Sequence, residues 1–165
     1  SDTLEELFQR HFLDSAQLMK FIPDKNIKLA DMGSGAGFPG LVLAMMGVAE
    51  VHLIESDIRK ATFLREVSRE TKTPVFIHDD RIEITKIDKL DFITARALAP
   101  LSDLLVMSNK LATSNHPVTL LFLKGEKTEE ELVKSKKRWN FELEVYPSIT
   151  SKTGKILKIN NLTLK

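Results

Sequence analysis

The sequence predicts an α/β fold: a doubly wound, mostly parallel seven-stranded sheet with helices on both faces and an antiparallel last strand. Three observations carry this expectation. Strand-length apolar segments alternate with amphipathic helix-length segments along most of the 165 residues, the pattern of a parallel sheet joined by crossover helices. The first strand runs straight into Gly33-Ser34-Gly35-Ala36-Gly37, with a glycine at every second position. No helix-length pattern separates the last two strands, so they must pair antiparallel.

Taken in order, Thr3 to Lys20 reads as a helix, opened by a capping box of Thr3 and Glu6. Leu4, Leu7, Phe8, Leu13, Ala16 and Leu18 give it an apolar face, and Pro23 ends it. The chain thus reads as one domain over 1–165, of which residues 1–22 form an N-terminal helical extension. A strand over 27–31 meets the glycine loop. The helix after it carries Leu41 to Met45, apolar nearly all round, and Gly47 closes it. Strands follow at 51–55, 74–78, 90–93, 118–123, 142–146 and 155–160. Helices fall at 57–71, 101–111 and from Thr128 to near Trp139. The fifth strand, Val118–Leu123, is a long segment that is apolar but for Thr119 and must be central.

Composition narrows the function classes. Hydrophobic residues make up 42% and charged residues 28%, which suits one soluble domain with a full core. No apolar run approaches the roughly 20 residues that span a bilayer, and no secretory leader is evident. With no cysteine, disulfides, thiolate metal sites and cysteine nucleophiles are excluded, in keeping with a cytosolic setting. The formal net charge of +1 gives no global basic field. Attraction to nucleic acid would rest on local groups, Arg59, Lys60, Arg65, Arg69 and Lys72, or Lys134, Lys136, Lys137 and Arg138. Each alone reads first as a solvated helix face.

The chemistry concentrates on the carboxyl edge of the sheet. Gly33, Gly35 and Gly37 can adopt positive φ and bring backbone N–H groups to a ligand, and Pro39 suits the first turn of the helix that follows. This makes a cradle for a nucleotide-like cofactor. Glu55 ends the second strand 18 residues after Gly37, where a carboxylate accepts from both ribose hydroxyls of an adenosine. Asp79-Asp80-Arg81-Ile82-Glu83 follows the third strand, so that an apolar side chain such as Ile82 covers the adenine and an acid reads its amino edge. The run His78-Asp79-Asp80 is a poor metal site, since neighbours on a strand point to opposite faces, and no metal is expected. Arg96 after the fourth strand and Lys124 after the fifth share this edge.

Gly35-Ala-Gly37-Phe-Pro-Gly40 also satisfies the dinucleotide pattern G-x-G-x-x-G. Three details tilt against NAD. Asp31 stands two residues before Gly33, Gly33 extends the spacing to G-x-G-x-G, and the chain closes on an antiparallel pair. That last feature belongs to the class I S-adenosylmethionine (SAM) methyltransferases, with their Rossmann-like fold. Within that class, pyrimidine C5 methylation commonly needs a cysteine, and exocyclic amine methylation an Asn/Asp-Pro-Pro-Tyr/Phe turn where this chain has Thr94-Ala95-Arg96-Ala97. A nucleophile that needs no deprotonation, such as guanine N7, is left favoured.

With these residues in place, the chain resembles the GidB/RsmG family, the 16S ribosomal RNA guanine-N7 methyltransferases of the small subunit. The resemblance runs from Arg10-His11-Phe12-Leu13-Asp14-Ser15 through Asp31–Gly40, Arg59–Leu64, Asp80–Glu83 and Thr94–Ala97 to Leu123-Lys124-Gly125. It implies SAM as cofactor and S-adenosylhomocysteine as product. It further implies 7-methylguanosine in rRNA or a ribosomal particle as the outcome, and a cytoplasmic protein with no membrane partner, which we expect to be a monomer. For the cofactor it implies the glycine loop (Gly33, Ser34, Gly35, Gly37) with Phe38, the pair Ile82 and Glu83, and Arg96, beside the Glu55 read from spacing. Arg96 and Lys124 stand as candidates for catalytic contact. Two rival readings stay open: an NAD(P)-binding oxidoreductase, and a SAM-binding module without transfer activity.

Overall fold

A computed structural model describes residues 3–112 and 115–165 of the chain, so the first two residues of the expected extension lie outside it. The strands are β1 (Lys28–Met32), β2 (Glu50–Ile54), β3 (Phe76–His78), β4 (Phe92–Arg96), β5 (Thr119–Lys124), β6 (Trp139–Pro147) and β7 (Lys155–Leu164). They form one sheet in the order β3-β2-β1-β4-β5-β7-β6. Every pairing from β3 to β5 is parallel, and β7 runs antiparallel to both β5 and β6. The doubly wound sheet and its antiparallel close are as expected.

Among the described residues five α-helices flank the sheet: α1 (Leu4–Ala16), α2 (Gly40–Met45), α3 (Ile58–Glu70), α4 (Leu101–Leu111) and α5 (Thr128–Ser135). β5 is central, and its alternation serves both layers. Leu120 and Phe122 pack with Leu101, Leu104 and Leu105 of α4, whereas Leu121 and Leu123 join Leu41 and Leu43 of α2 and Leu64 of α3. A strand buried on both faces reads as a near-continuous apolar run, as Leu120–Leu123 does.

The departures have local causes. The expected N-terminal helix stops at Ala16 and tightens into a 3₁₀ turn over Gln17–Phe21. Its capping box forms, Glu6 N–H donating to Thr3 Oγ1 and Thr3 N–H to Glu6 Oε2. Its apolar face does not bury: Leu4, Phe8 and Leu13 are 84%, 59% and 53% exposed, and of the six residues only Leu18 reaches the core. The helix is held instead through its His11–Asp14 turn. The helix expected to reach Trp139 ends at Ser135, and Trp139 opens β6. From there Trp139, Phe141 and Leu143 turn inward while Asn140, Glu142 and Glu144 are exposed, a period of two. Thr94, Ala95 and Arg96, placed after the fourth strand by sequence, belong to it through their register with Leu121, Phe122 and Leu123.

Candidate active site

The strand order reverses between β1 and β4, and the loops leaving the carboxyl ends on either side of that point enclose a cleft, where open α/β sheets bind ligands. The cleft has a volume of about 540 Å³ and is walled by Gly33 and Gly35, Glu55, the turn from Asp80 to Glu83, and Arg96 to Leu98. Gly33, Gly35 and Gly37 have φ of +64°, +54° and +101°, so the positive-φ loop read from the sequence is present.

The loop is fixed from below by Asp31 and from the side by Glu55. Asp31 is fully buried at the end of β1. Gly40 N–H donates to its Oδ2 at 3.1 Å and Thr94 Oγ1 to its Oδ1 at 2.7 Å. These bonds tie the start of α2 and the middle of β4 to β1. Burial pushes the Asp31 carboxyl up to about 6 against the pull of Thr94, Ser34, Gly40 and the Arg96 charge. In the unfolded chain it ionises near 3.8, so the folded state binds the extra proton between those values. Stability therefore falls as pH rises from about 4 to 6, by roughly 3 kcal/mol for a shift of this size. Asp31→Asn keeps an acceptor for Gly40 and a donor for Thr94. Denaturant unfolding at pH 4 and pH 7 is expected to show the variant gaining on the wild type by up to that amount.

Glu55 accepts from Gly35 N–H through Oε1 and from Asp57 N–H through Oε2, both at 2.9 Å. The side chain thereby spans the glycine loop and the start of α3. It sits in the cleft wall at 8% exposure, with a second lone pair on each oxygen.

Of the residues expected to hold a cofactor, Gly33, Gly35, Glu55, Ile82, Glu83 and Arg96 line the cleft. Ser34, Gly37 and Phe38 do not. Ser34 Oγ donates to the Asp31 carbonyl at 3.2 Å and shapes the turn, and Gly37 is packed against Leu41 and Leu64. Phe38 meets Phe8 edge-on at 5.8 Å and the His11 ring at 5.7 Å, with the Arg96 guanidinium 5.4 Å from its centroid. Sequence reading gave no site role to Ile54, Ser56, Lys60, Asp80, Arg81, Ala97 or Leu98, which complete the wall. Asp80 and Arg81 lay within the noted turn. Leu98 had no signal, because its place is set by Gly33, where a Cβ would come within 2.6 Å of Leu98 Cδ1.

Arg96 joins this cleft to a second one of about 380 Å³, bounded by Arg10, His11, Asp14, Lys124 and the β6–β7 loop. Arg96 Nη1 lies 3.0 Å from His11 Nδ1 and 3.4 Å from Asp14 Oδ2. A guanidinium only donates, so His11 Nδ1 is the acceptor and the imidazole is neutral. Burial and then the Arg96 charge lower the His11 pKa below its usual range, with Arg10 adding to this and Asp14 opposing it. Arg96→Met, which removes the larger cationic neighbour, is expected to raise the His11 titration midpoint seen by NMR. An unchanged midpoint would remove the contact from the account. Lys124 is committed: its Nζ donates to the Ala99 carbonyl at 3.0 Å and pairs with Glu131 at 3.1 Å. Among the described residues no three His, Cys, Asp or Glu side chains gather as a metal site, and no helix is long and apolar enough to cross a membrane.

A family model described as rRNA small subunit methyltransferase G matches residues 1–160. The chain belongs to that family. Among curated relatives, the ribosomal RNA small subunit methyltransferase G of Paramagnetospirillum magneticum is 48% identical over 98% of the chain and 78% of its own length. Those of Rhodospirillum centenum and Rickettsia typhi are 45% and 43% identical, over 97% and 98% of the chain and 73% and 83% of their own lengths. A SAM-dependent methyltransferase from Aquifex aeolicus superposes with a TM-score of 0.71 at 16% identity, covering 92% of each chain. Magnesium protoporphyrin IX methyltransferase from Synechocystis, solved with bound SAM, gives 0.67 at 14%, covering 94% of this chain and 81% of the other. The Rossmann-like methyltransferase fold is thus confirmed. The methyltransferase reading, with SAM as methyl donor, is borne out over the oxidoreductase one.

Proposed function

We propose that this chain, acting as one unit over 1–165, transfers the SAM methyl group to N7 of a guanine in small-subunit rRNA, in the cytoplasm and as a monomer. The observation that carries this reading is the meeting of two clefts at Arg96 and Ala97. One is built for a nucleoside and the other lies open to a second reactant. The first fits SAM: Gly33 and Gly35 leave the loop backbone bare beside Leu98, and Glu55 stands pre-bonded in the wall.

When bound, SAM supplies a sulfonium methyl ready for in-line displacement. Glu55 accepts from the ribose hydroxyls, Ile82 covers the adenine, and Glu83 takes its amino edge. Gly33, Gly35 and Arg96 enclose the methionine part, while Ser34, Gly37 and Phe38 hold the loop in shape behind them. Guanine N7 carries a free lone pair, so no proton leaves before attack and alignment is the main task, worth several kcal/mol. The side chains at the junction agree with that demand. His11 and Asp14 are spent on Arg96, and Lys124 is paired with Glu131. None of the three is a free base.

The basic groups suit a phosphate backbone unevenly. Lys60 lines the first cleft, while Arg65 is paired with Asp79 and Arg69 approaches Glu66. Arg10, Arg96, Lys124 and Lys155 line the second cleft, Arg96 paired with Asp14 and Lys124 with Glu131, and it is their convergence on one opening that suits an incoming RNA strand. SAM carrying a labelled methyl group, incubated with unmodified small-subunit and large-subunit rRNA, tests the reading. Label in the small-subunit RNA alone is the expected result. SAM binding with no label in any RNA would favour the binding module without activity.

A further inference from the structure

We infer that the second cleft receives the target base and that Arg96 selects guanine by donating to its O6, an inference that rests on the N7 reading above. Arg96 and Ala97 are the residues common to the two clefts, so a base in the second presents its reacting edge to Arg96. On guanine, O6 stands beside N7 on the same edge and both are acceptors. Arginine often bonds the two together. Here the N7 lone pair is needed for the methyl group, so O6 alone remains for the guanidinium. Adenine would bring its N6 amine to the same place, donor against donor.

The guanidinium is held for this purpose at one end. Its hydrogen bonds among the described residues all use Nη1, to His11 and Asp14, and its other N–H groups make none there. Asp14 is itself fixed, accepting at Oδ1 from Thr150 Oγ1 at 2.8 Å and Gln17 Nε2 at 3.0 Å. Gln17 accepts from Ile149 N–H, which ties the network to the β6–β7 loop. The guanidinium also lies over the Phe38 ring, 5.4 Å from its centroid. His11, Asp14 and Gln17 are positioning residues in this arrangement, and the selecting contact belongs to Arg96. The fork geometry matters, since lysine would keep the charge and lose the fixed direction of the N–H groups.

Base analogues in the RNA test this with the wild-type protein. The methylated position is mapped on the natural RNA. Equivalent RNAs are then built with guanine, inosine (O6 kept, the amine lost) or 2-aminopurine (O6 lost, the amine kept) at that position. Rates at saturating SAM are divided by each base's own rate with dimethyl sulfate, which removes differences in N7 reactivity. Inosine is expected to match guanine, and 2-aminopurine to fall about 10-fold or more. In Arg96→Lys the guanine-to-2-aminopurine ratio is expected to shrink toward one, while calorimetry reports SAM binding separately. Equal corrected rates for guanine and 2-aminopurine with the wild type would overturn the inference and leave the N7 reading standing. So would undiminished discrimination in Arg96→Lys. Natural RNA left unmethylated by the wild type would overturn both.

Discussion

Glu55→Ala is expected to weaken SAM binding by 1–3 kcal/mol, about 5- to 150-fold in Kd. Two losses add. The ribose hydroxyls lose their acceptor, and the glycine loop loses the bond from Gly35 N–H to Oε1 that holds it against the end of β2. The bond from Asp57 N–H to Oε2, which fixes the start of α3, goes as well. Both N–H donors then depend on water, and the cleft wall between loop and helix loosens before any ligand arrives. Calorimetry with SAM measures the effect. Glu55→Gln is the sharper variant, since it keeps the shape but turns an amide NH₂ toward one of the two N–H donors, and it should bind SAM nearly as poorly as alanine. An unchanged Kd for either would take Glu55 out of the cofactor site.

Gly40→Ala is expected to cost about 3 kcal/mol or more of stability. A Cβ at this position would lie 2.5 Å from Asp31 Cβ, 2.5 Å from Leu53 Cδ2 and 2.8 Å from Asp31 Oδ2. Asp31 is fully buried and Leu53 lies in the core, so no neighbour can swing into solvent. Relief requires α2 to move off the sheet, which also breaks the bond from Gly40 N–H to Asp31. Gly35→Ala is the control. A Cβ there would meet nothing nearer than the Gly33 carbonyl at 3.9 Å, and only the φ of +54° opposes it, a cost of about 1–2 kcal/mol. Denaturant unfolding should rank Gly40→Ala well below Gly35→Ala, whereas SAM affinity per folded molecule should suffer at Gly35. Equal stability of the two variants would contradict the packing read at Gly40.

What the sequence revealed of this site is what lies close along the chain. The glycine loop, the acid ending the second strand and the Ile82-Glu83 turn each announce themselves within a few residues, because turn chemistry and strand ends are local. Asp31 was visible as an acid before the loop, but its bond to Thr94 spans 63 positions, and only the β1–β4 pairing makes it a clamp. Arg96 was legible as a cation at the carboxyl edge. Its partners His11 and Asp14, 85 and 82 residues away, were not, since nothing local says that the first helix docks there. The same helix misled on burial: its apolar periodicity is real, yet its docking uses a polar turn and Phe8 on Phe38 rather than the leucine stripe. Trp139 was a readable miss. The alternation from Trp139 to Glu144 is a strand signal that continuing the preceding helical pattern obscured.

The central claim is that this fold aligns a guanine N7 with the methyl group of SAM. Mass spectrometry of nucleosides tests it most directly, after the protein and SAM are incubated with unmethylated small-subunit rRNA, naked and in particles. New 7-methylguanosine and no other new methylated nucleoside is the expected result. Methyl groups appearing on an exocyclic amine, on a ribose or on a pyrimidine carbon would contradict it, as would the absence of 7-methylguanosine from every form of the RNA when calorimetry shows SAM bound to the same preparation.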